Sequence, residues 1–106
     1  MLGTLTRELI SHVCPSEHQA EVAAFLESSC SNTLPGVGSS PEWAELIDRV
    51  QLAAIRGSEW KIEKIKKSVV LANQDWRDLL VASGFSNDLS AHKHWQKWAL
   101  EERNVS

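Results

Sequence analysis

Four histidines and two cysteines are the residues here whose chemistry suits metal binding or redox work, and their spacing argues against both. His92 and His94 stand two positions apart, so on a helix their side chains point about 160° away from one another, whereas helical ligand pairs sit three or four positions apart. They are expected instead to flank a buried tryptophan face. His12, Cys14, His18 and Cys30 crowd into the N-terminal part of the chain. Cys14 falls at a turn and Cys30 at the far end of the next helix, about 20 Å away at about 1.5 Å per residue, which is too far for a disulfide. His18 falls in the apolar stripe of that helix and is expected in the core. No metal and no cofactor is expected from this set.

Catalysis calls for a nucleophile with its base, a paired acid and base, or a phosphate-cradling loop. The chain has no GxSxG and no HExxH, and the GVG of Gly36 to Gly38 is not followed by the lysine that a phosphate loop uses. Asp75 and Asp78 have no partner visible from spacing; Asp75 and Arg77, on either side of Trp76, are expected to anchor a helix junction by hydrogen bonds. The reading is therefore not an enzyme and has no evident small-molecule substrate.

Charge is unevenly placed. Residues 1–55 hold two basic and seven acidic side chains, residues 56–67 five basic and two acidic, and residues 68–106 four basic and five acidic. The basic segment carries Lys61, Lys64, Lys66 and Lys67, which splay around the polar face of a helix, with Glu63 and Lys67 at ion-pair spacing. So short a basic stretch leaves nucleic-acid binding as the alternative reading rather than the main one. A helix-turn-helix does not fit either, because core positions of its second helix would fall on Glu63 and Lys66.

What the motifs leave over is apolar surface. Leu52 lies on the polar face of its helix with Ile55 about 60° away, and Trp60, Val70, Leu71 and Val81 lie off the main stripe of the next one. Five tryptophans in 106 residues add to this excess, and tryptophan is favoured both in cores and at binding hot spots. The expected partner-binding surface comprises Leu52, Ile55 and Trp60, with Lys61 and Lys64 at its rim. It would be covered by a protein partner or by a second copy of the chain, unless the fold buries it from both sides.

The elements that must carry these residues are all helices. Leu2, Leu5, Leu9 and Val13 recur at helical spacing, Thr4 stands where a cap would, and Pro15 stops the run, so a first helix is expected over 5–13. Ser16 with Gln19 reads as a capping box for a second helix over 17–29. The stretch SNTLPGVGSS (residues 31–40) reads as a loop that separates a two-helix arm (1–30) from a helical core (41–103). Ser40 and Pro41 start a third helix reaching Arg56, whose inner stripe is Trp43, Leu46, Ile47, Val50, Ala53 and Ala54. Gly57 and Ser58 are expected to make a tight antiparallel hairpin.

From Ile62 the positions Ile65, Val69, Ala72, Trp76, Leu79 and Leu80 keep one helical phase, predicting a long helix over about 59–83 that ends at Gly84. Asn73 to Asp75 offer a place for it to break, and Phe85 is expected to fold back over its end. Asp88 or Ser90 opens a last helix to about Glu102 with Ala91, Trp95, Trp98 and Ala99 inside. No segment alternates with period two.

The stretches RVQLAAIRGSEW (residues 49–60) and DWRDLLVASGF (residues 75–85) resemble a pattern in short uncharacterised bacterial all-helical proteins. The resemblance implies a bacterial, helical protein and no chemistry. The expectation is an all-α, four- or five-helix bundle forming one domain, monomeric or homodimeric. No apolar run approaches the ~18 residues of a membrane helix, and the start MLGTLTRELISHV lacks a signal peptide's basic and apolar regions, so no membrane contact is expected and the expected compartment is the cytoplasm.

Overall fold

The computed structural model describes residues 2–31, 34–38, 40–85 and 88–105. Five α-helices carry the chain: α1 (Thr4–Val13), α2 (Ser16–Ser29), α3 (Ala44–Ile55), α4 (Ile62–Ser83) and α5 (Ala91–Val105), with a 3₁₀ turn (Pro41–Trp43) leading into α3. The described residues contain no strand, and the architecture is an all-α bundle.

The bundle is built around α3. Its residues from Ile47 to Ile55 are all buried, polar ones included, because α1, α4 and α5 all pack against it. An amphipathic helix buries one stripe, and a helix enclosed on all sides must find partners for whatever polar groups it carries. Asp48, Arg49 and Gln51 do so by taking up the loose backbone ends of other elements. The Asp48 carboxylate accepts from the amides of Leu5 (2.9 Å) and Thr6 (2.8 Å) and from the Thr6 hydroxyl (2.6 Å), which caps α1 from another helix. Gln51 accepts from the Gly3 amide through Oε1 and donates through Nε2 to the Cys30 carbonyl, both at 2.8 Å, so it ties the start of α1 to the end of α2. Arg49 donates to the carbonyls of Phe85 and Asp88, where α4 crosses to α5. Gly3 is required for this closeness, since a Cβ there would stand 2.2 Å from an Asp48 oxygen.

Several expected local details differ. Thr4 does not cap α1, since Asp48 already serves its first amides. The capping box at Ser16 is not formed: Ser16 is already helical, and Gln19 reaches back to the Cys14 carbonyl at 2.9 Å instead. His18 is exposed and sits 3.5 Å from Glu17, not in the core. The two-helix arm is not set apart, because α1 packs on both α3 and α5, and Leu9, Val22 and Leu26 join one core.

The long helix starts at Ile62 rather than near 59 and bends at Asp75, whose backbone is extended (φ −160°, ψ 106°). Asp75 Oδ1 accepts from the Arg77 amide at 3.0 Å and from Arg77 Nε at 3.3 Å, so the carboxylate restarts the helix as an N-cap does. Asn73 holds one side of the bend by donating to the Ser29 carbonyl (2.8 Å), and Trp76 the other by donating to the Pro35 carbonyl (3.2 Å). Ile65, Val69 and Ala72 before the bend, and Leu79 and Leu80 after it, are all buried.

At the far end Gly84 takes a left-handed conformation (φ 85°), and the Phe85 amide bonds the Leu80 carbonyl at 2.9 Å, closing the helix and delivering the Phe85 ring into the core.

Candidate binding groove

The connection between α3 and α4 spans 56–61 rather than a two-residue Gly57-Ser58 turn. Arg56 (φ −58°, ψ 124°) and Gly57 (φ 79°) form a type II-like turn closed by the Ser58 amide on the Ile55 carbonyl at 2.9 Å. A second turn follows at once, with the Lys61 amide on the Ser58 carbonyl at 3.0 Å and both central residues, Glu59 (φ 54°) and Trp60 (φ 61°), in the left-handed region. Such turns favour Asn and Gly, and a tryptophan there is an outlier costing about 1–3 kcal/mol. Ser58, buried, holds the pair: its hydroxyl donates to the Ile55 carbonyl (2.6 Å) and accepts from the Trp60 amide (3.2 Å). It does not start a helix.

This strained turn forms one end of an open groove of about 830 Å³. Leu9 and Val13 of α1 and Ile55 of α3 line it on one side, and Ala91, Trp95, Trp98 and Ala99 of α5 on the other. Trp60 closes the third side, so three of the five tryptophans converge here. Trp98 is 56% exposed. Trp95 is set by Phe85, whose ring centroid lies 6.0 Å away at an interplanar angle of 53°, and Arg56 lies over the same phenyl ring at 5.0 Å. The left-handed Gly84 cap thus positions one wall of the groove through Phe85.

Polar groups at the rim are Arg56, Glu59, Asp88 and His94. Glu59 is held below the usual carboxylate range by the hydrogen bond from Lys64, 3.2 Å away, and by that charge and Lys61's. Asp88 is held low by hydrogen bonds from the Ser90 amide and hydroxyl, both 2.8 Å, which cap the entry to α5. Both carboxylates are charged at neutral pH. The arrangement is an apolar, tryptophan-rich trough with a thin charged edge, of the size and make-up of sites that take a small molecule or a few side chains of a peptide.

The residues expected to form a partner surface are divided by the fold. Leu52 is 0% exposed and Ile55 3% exposed, so neither is an open contact surface: α3 is enclosed on both of the faces that carry them. Ile55 still forms part of the groove floor, and Trp60 one of its ends. Lys61 closes the second turn with its amide, and Lys64 reaches the groove only through Glu59.

Among the described ion pairs Lys64 pairs with Glu59, not Glu63 with Lys67, and Lys66 lies over the Phe25 ring at 5.8 Å. Of the other apolar residues singled out, Val70 and Val81 are exposed and Leu71 is half-buried. On α5 the buried pair is His92 and Gln96, not the tryptophans, because Gln96 turns toward α1 and donates to the Leu5 carbonyl (3.3 Å) and to Glu8 (3.1 Å). The helical pattern of α5 predicts Trp98 inside, whereas it lies half-exposed on the groove, and nothing in the spacing brings Leu9 and Val13 to the same place. The one signal available was the excess of tryptophan.

Cys14 and Cys30 are free and buried. No three His, Cys, Asp or Glu side chains come together to hold a metal among the described residues, and no helix there is long and apolar enough to cross a membrane. No protein-family model, curated protein or solved structure matches the chain.

Proposed function

We propose that this chain works by binding rather than by catalysis, holding an amphipathic segment of a partner protein in the groove between α1, α5 and the 56–61 connection. The observation that carries the reading is the convergence of Trp60, Trp95 and Trp98 on one open trough, with Trp60 kept there by a turn that its own backbone preferences oppose. Strain of this kind persists where the surrounding structure imposes it, and it collects at functional sites. A tryptophan left more than half in water offers a large apolar anchor at small entropic cost to whatever covers it. The groove's edges are helices, which suits a helical segment lying along them with apolar residues at i, i+3 or i+4 and i+7.

The test is selection from a display library of random amphipathic peptides, run in parallel on the wild-type protein and on Trp98→Ser. Because Trp98 is largely exposed, that change leaves the fold in place. Peptides enriched on the wild type should carry large apolar residues at helical spacing and lose about tenfold or more in affinity on the variant. Enrichment without such a pattern, or equal binding to both proteins, overturns the reading. Self-association of the wild type that Trp98→Ser abolishes would assign the groove to a second copy of the chain.

A further inference from the structure

Beside the groove, a buried arginine of α3, Arg49, and a buried histidine of α5, His92, both lie against Phe85. Arg49 is tied to the chain where α4 crosses to α5, donating to the Phe85 and Asp88 carbonyls, and no carboxylate lies within ion-pair distance of it among the described residues. His92, in the opening turn of α5, is 0% exposed, with its ring edge-on to Phe85 at 6.5 Å. Neither Nδ1 nor Nε2 has a hydrogen-bond partner among the described residues. His92 also borders a cavity of about 430 Å³ between the start of α1, α3 and α5, where Lys93 and Glu45 pair at 3.1 Å on the exposed edge.

We propose that Arg49 and His92 form an acid-sensitive latch, in which protonating His92 sets a second cation beside a buried guanidinium and loosens α5 from α3. The groups facing the imidazole are Glu45, Asp48 and Arg49 from α3 and Lys93 from α5 itself; Leu2 to Leu5 of the α1 segment are neutral. Asp48 and Glu45 favour the proton, but Asp48 is committed to the α1 amides and Glu45 to Lys93. Burial first, and the Arg49 charge next, push His92 below its ordinary value of 6.5. A base with a lowered folded value takes up its proton more readily once released. Docking is therefore at full strength above the ordinary value and weakens as pH falls through it toward the folded one. Trp95 and Trp98 ride on α5, so release would also dismantle the groove; that consequence rests on the binding reading, whereas the release itself does not.

The experiment is hydrogen exchange on the full chain without ligand, at about pH 7.5 and about pH 5.5, expressed as protection factors so that the intrinsic pH dependence cancels. The α5 amides should lose several-fold, up to about tenfold, in protection at the lower pH while those of α3 keep theirs. His92→Leu should remove the loss, and His18→Leu, at an exposed position on α2, should retain it. A titration of the His92 imidazole resonance in the wild type reads the group without any substitution, and it should protonate below its ordinary value of 6.5. Protonation of His92 at or above its ordinary value, equal loss of protection across all helices, or an unchanged loss in His92→Leu each overturns the latch. Since no peptide is present, failure here and failure of the groove reading are separate results.

Discussion

Asp48 shows how one side chain can serve a helix to which it does not belong. The first amides of any α-helix lack partners inside it, and a capping oxygen normally comes from the residue just before the helix. Here Gly3 occupies that place and has no side chain to offer, so a carboxylate from α3 fills the role and accepts from two amides and one hydroxyl. Asp48→Ala would leave those donors buried and unserved. The expected loss is about 2–3 kcal/mol in stability, read as a lower urea midpoint with an unchanged slope. A loss below about 0.5 kcal/mol, the range of an ordinary surface change, would contradict the cap. Nothing local in the sequence marks Asp48 for this. In the run Asp48-Arg49-Val50-Gln51 the polar residues read as the solvent side of an amphipathic helix, and only the packing of α1, α4 and α5 around α3 makes them interior.

Among the elements, α4 and the structure at its end were the most legible. Its apolar phase holds on both sides of the bend, its break falls at the aspartate that can cap a restart, and its stop falls at a glycine in the left-handed conformation. These features depend on residues within a turn or two of each other, which is why spacing alone reveals them. Gly84→Ala tests the stop. A Cβ at φ 85° is strained, and the 3.5 Å approach to Arg56 Nη1 is ordinary contact, so the cost is conformational. A destabilisation of about 1 kcal/mol is expected, lowering the melting temperature by about 4–8 °C. An unchanged melting temperature would show that Gly84 is not holding the cap. The α3 to α4 connection was less legible. Gly57 announces a turn, but nothing in the sequence discloses a second turn with Glu59 and Trp60 in left-handed geometry, since both residues disfavour it. Tertiary packing overrides the local preference there and aims Trp60 into the groove.

At the scale of the whole molecule, the bundle encloses both thiols in one core. Cys30 is fully buried and pushed up to about 12, and Cys14 is raised by burial as well. Thiolate is the reactive form, so at a given pH Cys30 holds about a thousandfold less of it than a cysteine at 9.0. The native protein should therefore resist iodoacetamide, Cys30 more than Cys14, and react at both thiols once denatured. Mass spectrometry of timed samples checks this, and rapid alkylation of Cys30 in the native state would contradict the enclosed core.

Composition, helical phase, prolines and capping glycines by themselves determined an all-α chain and the approximate span of every helix, because each signal is read within a few residues. Which face of α3 is inside was decided only by tertiary structure, because burial depends on how many neighbours surround a helix and not on its own pattern. The groove has the same origin. Leu9 and Val13, Ile55 and Trp60, and Trp95 and Trp98 come from three separate stretches of chain. They meet because Asp48 and Gln51 anchor the start of α1, and Arg49 anchors the entry to α5, on one central helix.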